Sequence, residues 1–116
     1  MEQGNPVPRP DSIESFMTVM SRGFKPERAA QIKAVMQFTF SGEVEGSCHF
    51  EIDNGEIRAK EGTSAKPDLI IESLFETWMD VIKGKADGQQ LFMQAEYRAS
   101  GDFSLLMRMN QLFGRD

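Results

Sequence analysis

From Asp102 to Phe113 the sequence reads DFSLLMRMNQLF, and no other stretch restricts the fold as sharply. At about 100° per residue, Leu112, Leu105, Met109, Phe113, Leu106, Phe103 and Met107 sweep an apolar arc of roughly 220°, leaving Ser104, Gln111, Arg108 and Arg115 a narrow polar stripe. A sheet meets only one side of a helix, so an arc that wide needs a second cover. Another helix, a second chain or a bound apolar molecule must supply it. Gly101-Asp102 marks the start of this helix, with Asp102 as its N-cap and Glu96 to Ser100 as the strand leading in. Before that strand, Asp87 and Gln90 have capping-box spacing for one more helical segment.

The other end of the chain begins with Pro6, Pro8 and Pro10 among few apolar residues, which predicts an extended lead-in over residues 1–10 and a single domain over 11–116. Asp11 and Glu14 have the spacing of a capping box, followed by Ile13, Phe16, Met17, Met20 and Phe24 on one helical face. Gly23 is the expected C-cap, and Pro26 opens a short helical turn over 27–31.

At Ile32 the apolar period changes from 3.6 to 2. Ile32, Ala34, Met36, Phe38 and Phe40 share one face of a first strand; Cys48, Phe50 and Ile52 point inward from a second. Asn54-Gly55 is a strong hairpin signal, Ile57 and Ala59 begin the return strand, and a fourth strand is expected over 68–72. The alternate positions His49, Glu51, Asp53, Glu56, Arg58, Lys60, Glu96 and Arg98 are polar, so one sheet face should be wet. Helices then cover the other face, giving a two-layer α+β domain. Ser73 and Glu76 predict a capping box for a helix carrying Leu74, Phe75, Trp78, Val81 and Ile82 and ending at Gly84, with Lys83 and Lys85 favoured by its dipole.

Composition narrows the chemistry. A net charge of -5 and a pI near 4.9 argue against a nucleic-acid partner. The single cysteine has no internal disulfide partner, and the lone histidine beside it is on the opposite side of the strand pleat, so Cys48 and His49 do not form a catalytic pair. There is no His/Cys cluster for a transition metal, no EF-hand spacing, no P-loop and no dinucleotide fingerprint. Asp68, Asp80, Asp87 and Asp102 read as turn, cap and helix-surface residues. The expectation is a protein without catalytic residues, cofactor or metal. No apolar run approaches the roughly 18 residues of a membrane span.

Several segments together resemble the sterol carrier protein family of small lipid-binding domains. They are Phe24-Lys25-Pro26-Glu27-Arg28-Ala29-Ala30, Gln37-Phe38-Thr39-Phe40-Ser41-Gly42, Asp53-Asn54-Gly55, Lys66-Pro67-Asp68, Gly84-Lys85 and Gln89-Gln90-Leu91-Phe92-Met93. Ser100-Gly101-Asp102 and the run Leu105 to Phe113 complete the pattern. The resemblance implies a five-stranded, mostly antiparallel sheet with helices on one face and an apolar tunnel between the layers, in a stand-alone member of prokaryotic type. The sequence departs from the family where Ala95 replaces a usual glycine and where Tyr97 and Ala99 replace aliphatic residues. It closes with Gly114-Arg115-Asp116 in place of the peroxisomal tripeptide of animal members, so a cytoplasmic location is expected.

By the same resemblance, Phe75, Trp78, Met79, Ile82, Phe92, Met93, Tyr97, Phe103, Leu106 and Met107 are expected to line a lipid site. Asn110, an amide within the apolar arc, orients a ligand's polar end or bonds the backbone. Seven internal methionines supply adaptable apolar surface, which suits a variable ligand and ordinary core packing alike. The expected function is non-catalytic binding or transfer of a fatty acyl, sterol-like or isoprenoid lipid. The alternative is an accessory module that docks a protein partner or a second copy through helix 102–113 in a complex making a lipid or isoprenoid quinone. Arg22, Lys25, Arg28, Lys83 and Lys85 are candidates for a transient membrane contact.

Overall fold

A computed structural model describes residues 10–82 and 88–113, apart from the side chains of 88, 89 and 110. The expected cap at Asp87, the dipole-placed Lys83 and Lys85, and the stop at Gly84 lie outside that set. The order is α1 (Ile13–Gly23), a 3₁₀ turn (Pro26–Arg28), β1 (Lys33–Ser41), β2 (Gly46–Asp53), β3 (Glu56–Glu61) and β4 (Leu69–Leu74), then α2 (Phe75–Ile82), α3 (Gly88–Met93), β5 (Arg98–Gly101) and α4 (Phe103–Phe113). The strands form one five-stranded sheet in the order β3-β2-β1-β4-β5, antiparallel except where β1 and β4 run parallel. This is the α+β architecture expected from the sequence.

Alternation places Met36, Phe38, Phe50, Ile52 and Ile71 on the helix-covered face, all buried. Phe16 of α1 packs edge-on against Phe38, Phe40 and Phe50, with ring centroids 5.2, 5.0 and 6.0 Å away. Asn54 and Gly55 both have positive φ (50° and 90°), the geometry a two-residue hairpin between β2 and β3 requires.

The wide arc of α4 is met in part from within the chain. Leu105, Leu106, Met109 and Leu112 are buried, while Phe113 lies 5.6 Å from the ring of Phe24 and 6.1 Å from that of Phe50. The end of α4 is closed by the segment that follows α1. Lys25 N–H donates to the Leu112 carbonyl at 2.7 Å, and the Arg28 guanidinium donates to the Gln111 carbonyl at 3.3 Å. Arg28 therefore serves a helix end.

Several local expectations are corrected. The α1 cap is Ser12 with Ser15, one residue later than the Asp11/Glu14 pair. Ser15 N–H donates to Ser12 Oγ at 3.1 Å and Ser12 N–H donates to Ser15 Oγ at 3.0 Å, so two short hydroxyls do what a longer carboxylate was expected to do. Gly23 lies inside the helix; the C-cap is Phe24 in extended conformation (φ -67°, ψ 137°), with no left-handed residue. Ser73 does not cap α2. The parallel ladder with β1 runs through Phe40↔Ser73 and Ser41↔Leu74, holding both residues extended. Glu76 instead accepts the Glu43 N–H at 3.0 Å.

The polar sheet face is partly covered. The loop after β3 folds over it, where His49 Nδ1–H donates to the Gly62 carbonyl (3.0 Å) and Gln37 Oε1 accepts the Ser64 N–H (2.8 Å). His49 and Gln37, paired across β1 and β2, are buried in consequence. The expectation that His49 faces water fails because the loop's free backbone groups need partners that two polar side chains on this face supply.

Candidate functional site

α2 is short, but its residues fall at the i, i+3, i+4, i+7 spacing, so Phe75, Trp78, Met79 and Ile82 share one face. Phe75, Trp78 and Met79 are buried and Ile82 is half-buried. The turn out of α3 is what brings the next aromatic residue to this face. Glu96 N–H donates to the Leu91 carbonyl (2.9 Å) and Ala95 N–H to the Phe92 carbonyl (3.0 Å), with Ala95 left-handed at φ 60°. These are the bonds of a Schellman motif, and they reverse the chain so that Tyr97 is buried beside α2 while Phe92 is only half-buried.

The result is a file of rings from the middle of the sheet to the surface. Phe38 lies 5.4 Å from Trp78, Trp78 lies 5.2 Å from Tyr97 at 82°, Tyr97 lies 5.8 Å from Phe92, and Phe92 lies 5.8 Å from Phe103. At the outer end Met93 is 85% exposed, Phe103 47% and Met107 48%. Leu106 is buried on α4, and the Asn110 side chain lies outside the described residues. The predicted site residues thus divide into a buried group (Phe75, Trp78, Met79, Tyr97, Leu106), a half-buried pair (Ile82, Phe92) and an exposed rim (Met93, Phe103, Met107). Sequence reasoning overlooked Phe38 as the inner end of this file; its place on the inward face of β1 was readable from the period-2 pattern.

Beyond the last β4–β5 pair, Glu72↔Arg98, an open cleft of about 400 Å³ is lined by Thr39, Ser41, Glu72, Leu74, Glu96 and Arg98, among others. It is mainly polar and lies where β5 stops short of the end of β4. No group of three His, Cys, Asp or Glu side chains gathers among the described residues in a way that could hold a metal ion. Cys48 is wholly buried, and burial, with the nearby Glu61 carboxylate adding to it, pushes its thiol up to about 12, so it is no nucleophile at neutral pH. None of the described helices is long and apolar enough to cross a membrane.

Similar folds are known. The sterol carrier protein domain 2 of Helicoverpa armigera is 19% identical with a TM-score of 0.71, the match covering 97% of this chain and 98% of that one. Sterol carrier protein 2 from Yarrowia lipolytica in its apo form is 16% identical with a TM-score of 0.67, covering 87% and 91%. The sec-alkylsulfatase Pisa1 from a Pseudomonas species is 16% identical with a TM-score of 0.77; the match covers 88% of this chain but only 16% of the enzyme. At these identities the likeness is one of fold. No curated protein matches the sequence. The profile of the SCP-2 sterol transfer family, however, matches residues 17–114, and the chain belongs to that family.

Proposed function

We propose that this chain binds and transfers a single apolar lipid, without catalysing a reaction on it, and that the lipid lies between α2, α3 and α4 along the ring file from Trp78 to Phe103. Membership of a lipid-transfer family supports lipid binding in general. The observation that carries the location is the continuity of the file: buried rings on α2 and before β5 connect through Phe92 to the exposed Met93, Phe103 and Met107. Apolar side chains left in water at the end of such a file are where an apolar chain gains most by arriving, at about 25 cal/mol per Å² buried. Thioethers and rings adapt to ligands of different outline. The lipid slides in with its long axis along the file, parting Phe92 from Tyr97.

Native mass spectrometry of the purified chain, followed by titration of delipidated protein with a fluorescent fatty acid, tests this. Saturable binding that weakens several-fold in Phe92→Asp is expected. A probe that binds neither protein, with no retained lipid, overturns the reading.

A second reading rests on the same rim. Phe103 and Met107 are one helical turn apart on α4 and both half exposed, which suits docking of a protein partner or a second copy. Sedimentation equilibrium of the parent and of Met107→Glu distinguishes it: a parent dimer abolished by the substitution favours docking, and a monomer in both favours the lipid site.

A further inference from the structure

From the buried indole of Trp78 we infer that the lipid carries an uncharged oxygen acceptor, such as an alcohol, ketone or ester carbonyl, which takes a hydrogen bond from Trp78 Nε1–H deep in the helix layer. The inference rests on the lipid-binding reading above. Trp78 is 1% exposed, and its Nε1 is a buried side-chain donor with no hydrogen-bond partner among the described residues. Indole N–H is a donor only, and buried tryptophans ordinarily find an acceptor. Its ring neighbours Phe38 and Tyr97 lie 5.4 and 5.2 Å away at interplanar angles of 55° and 82°, and the residue occupies the inner part of the file that leads out to Phe103. A donor left unpaired at the inner end of this file of rings favours a ligand with an acceptor at its leading end.

Charge decides the class of acceptor. The buried polar or charged residues among those described are Gln37, His49 and Ser73, and Gln37 and His49 are engaged on the opposite sheet face by the loop after β3. Ser73 donates its hydroxyl hydrogen to the Leu74 carbonyl. No buried lysine or arginine among the described residues compensates a carboxylate at Trp78, and a carboxylate there would be desolvated against one neutral donor. A carbonyl oxygen needs only the one bond that the indole supplies, and a hydroxyl oxygen accepts the same bond while its own O–H takes a second acceptor.

The chain has a single tryptophan, so its indole gives one ¹H–¹⁵N cross-peak and the ligand's effect on it is unambiguous. Delipidated protein is titrated with dodecan-1-ol, dodecane and dodecanoate. Dodecan-1-ol is expected to move the indole proton downfield and to bind about tenfold more tightly than to Trp78→Phe, which keeps an aromatic ring and lacks the donor. Dodecane is expected to leave the indole proton without a downfield shift and to bind both proteins alike. The cross-peak of the parent protein tests the inference even if the variant fails to fold. If the probes bind but the indole proton does not respond to the alcohol, or if dodecanoate binds more tightly than the alcohol, the inference is wrong and the lipid site stands. If none of the probes binds the parent, both fail together.

Discussion

The carboxylate of Asp68 accepts the N–H of Val35 at 2.7 Å, while the carbonyl of Val35 accepts the N–H of Asp68 at 2.8 Å. Just ahead of the first parallel pair, Met36↔Leu69, the side chain of one strand thus completes a ladder bond of the other. The Asp68 carbonyl also accepts the Asp102 N–H at 2.7 Å, tying the entry of α4 to the same point.

Replacing Asp68 by alanine removes the acceptor for Val35 and leaves the two backbone bonds. The residue is exposed, so the loss is expected at about 1 kcal/mol. Asp68→Asn keeps an oxygen acceptor and should recover most of it. Urea midpoints of the three proteins check the order parent, Asn, Ala; equal midpoints for Asn and Ala would mean that the charge matters and the bond does not.

Ala95 is left-handed at the turn out of α3, a conformation that costs an L-residue roughly 1 kcal/mol and glycine almost nothing. Ala95→Gly should therefore stabilise by about 0.5 kcal/mol or more, after glycine's larger loss of backbone entropy. The check is a higher melting temperature with unchanged probe binding. A lower one would show that the methyl group of Ala95 packs usefully.

Glycine matters differently at residue 101. Its φ is 103° and an added Cβ would collide with the Asp68 carbonyl, which the Asp102 bond holds in place. Gly101→Ala is expected to cost several times more than an ordinary surface substitution, about 2 kcal/mol or above. Thermal unfolding within a degree or two of the parent would contradict this account of the β5–α4 turn.

The Cys48 thiol, raised from 9.0 to about 12, makes stability depend on alkaline pH. The folded state holds the proton where the unfolded chain has released it, so this contribution is fully present below pH 9 and is lost as pH rises from there towards 12. The slope approaches about 1.4 kcal/mol per pH unit in that window. Cys48→Ala, whatever its cost at neutral pH, should lose less stability than the parent between pH 8 and pH 10.5. Parallel losses in the two proteins would count against a proton retained on the buried thiol.

Much of this architecture was legible because its signals are local. The change of period at Ile32 announced β1, Asn54-Gly55 announced the β2–β3 hairpin, and Gly101-Asp102 announced the start of α4, where Ser104 N–H does donate to Asp102 Oδ1 at 2.9 Å. The Ser104 hydroxyl, together with this amide, lowers the pKa of the Asp102 carboxyl from its ordinary value. Apart from the local misplacement of the α1 caps, what misled were motifs whose partners lie far away in sequence. Ser73 and Glu76 carry a capping-box spacing, but β1 claims Ser73 for a ladder and Glu43 claims the Glu76 carboxylate. His49 alternates as an outward residue until the loop carrying Gly62 closes over it. At the candidate site, Trp78 was readable from helical spacing and Met79 was expected only from the family resemblance, whereas the split between buried Leu106 and exposed Met107 depends on how α4 packs on the rest of the domain.

Synthesis runs in one direction, and the closure of α4 by Lys25 and Arg28 gives that direction a cost. When the ribosome has released the first four strands, Phe24 and Phe50 still lack Phe113, and the carbonyls that Lys25 and Arg28 will engage have not been made. The nascent sheet, with α1 covering part of its apolar face, must wait with the remainder uncovered until α4 emerges, an interval of exposure to misassembly. Rare codons or stalls placed just before Phe103 would lengthen that interval, and chaperone capture of the arrested chain would be its cellular signature.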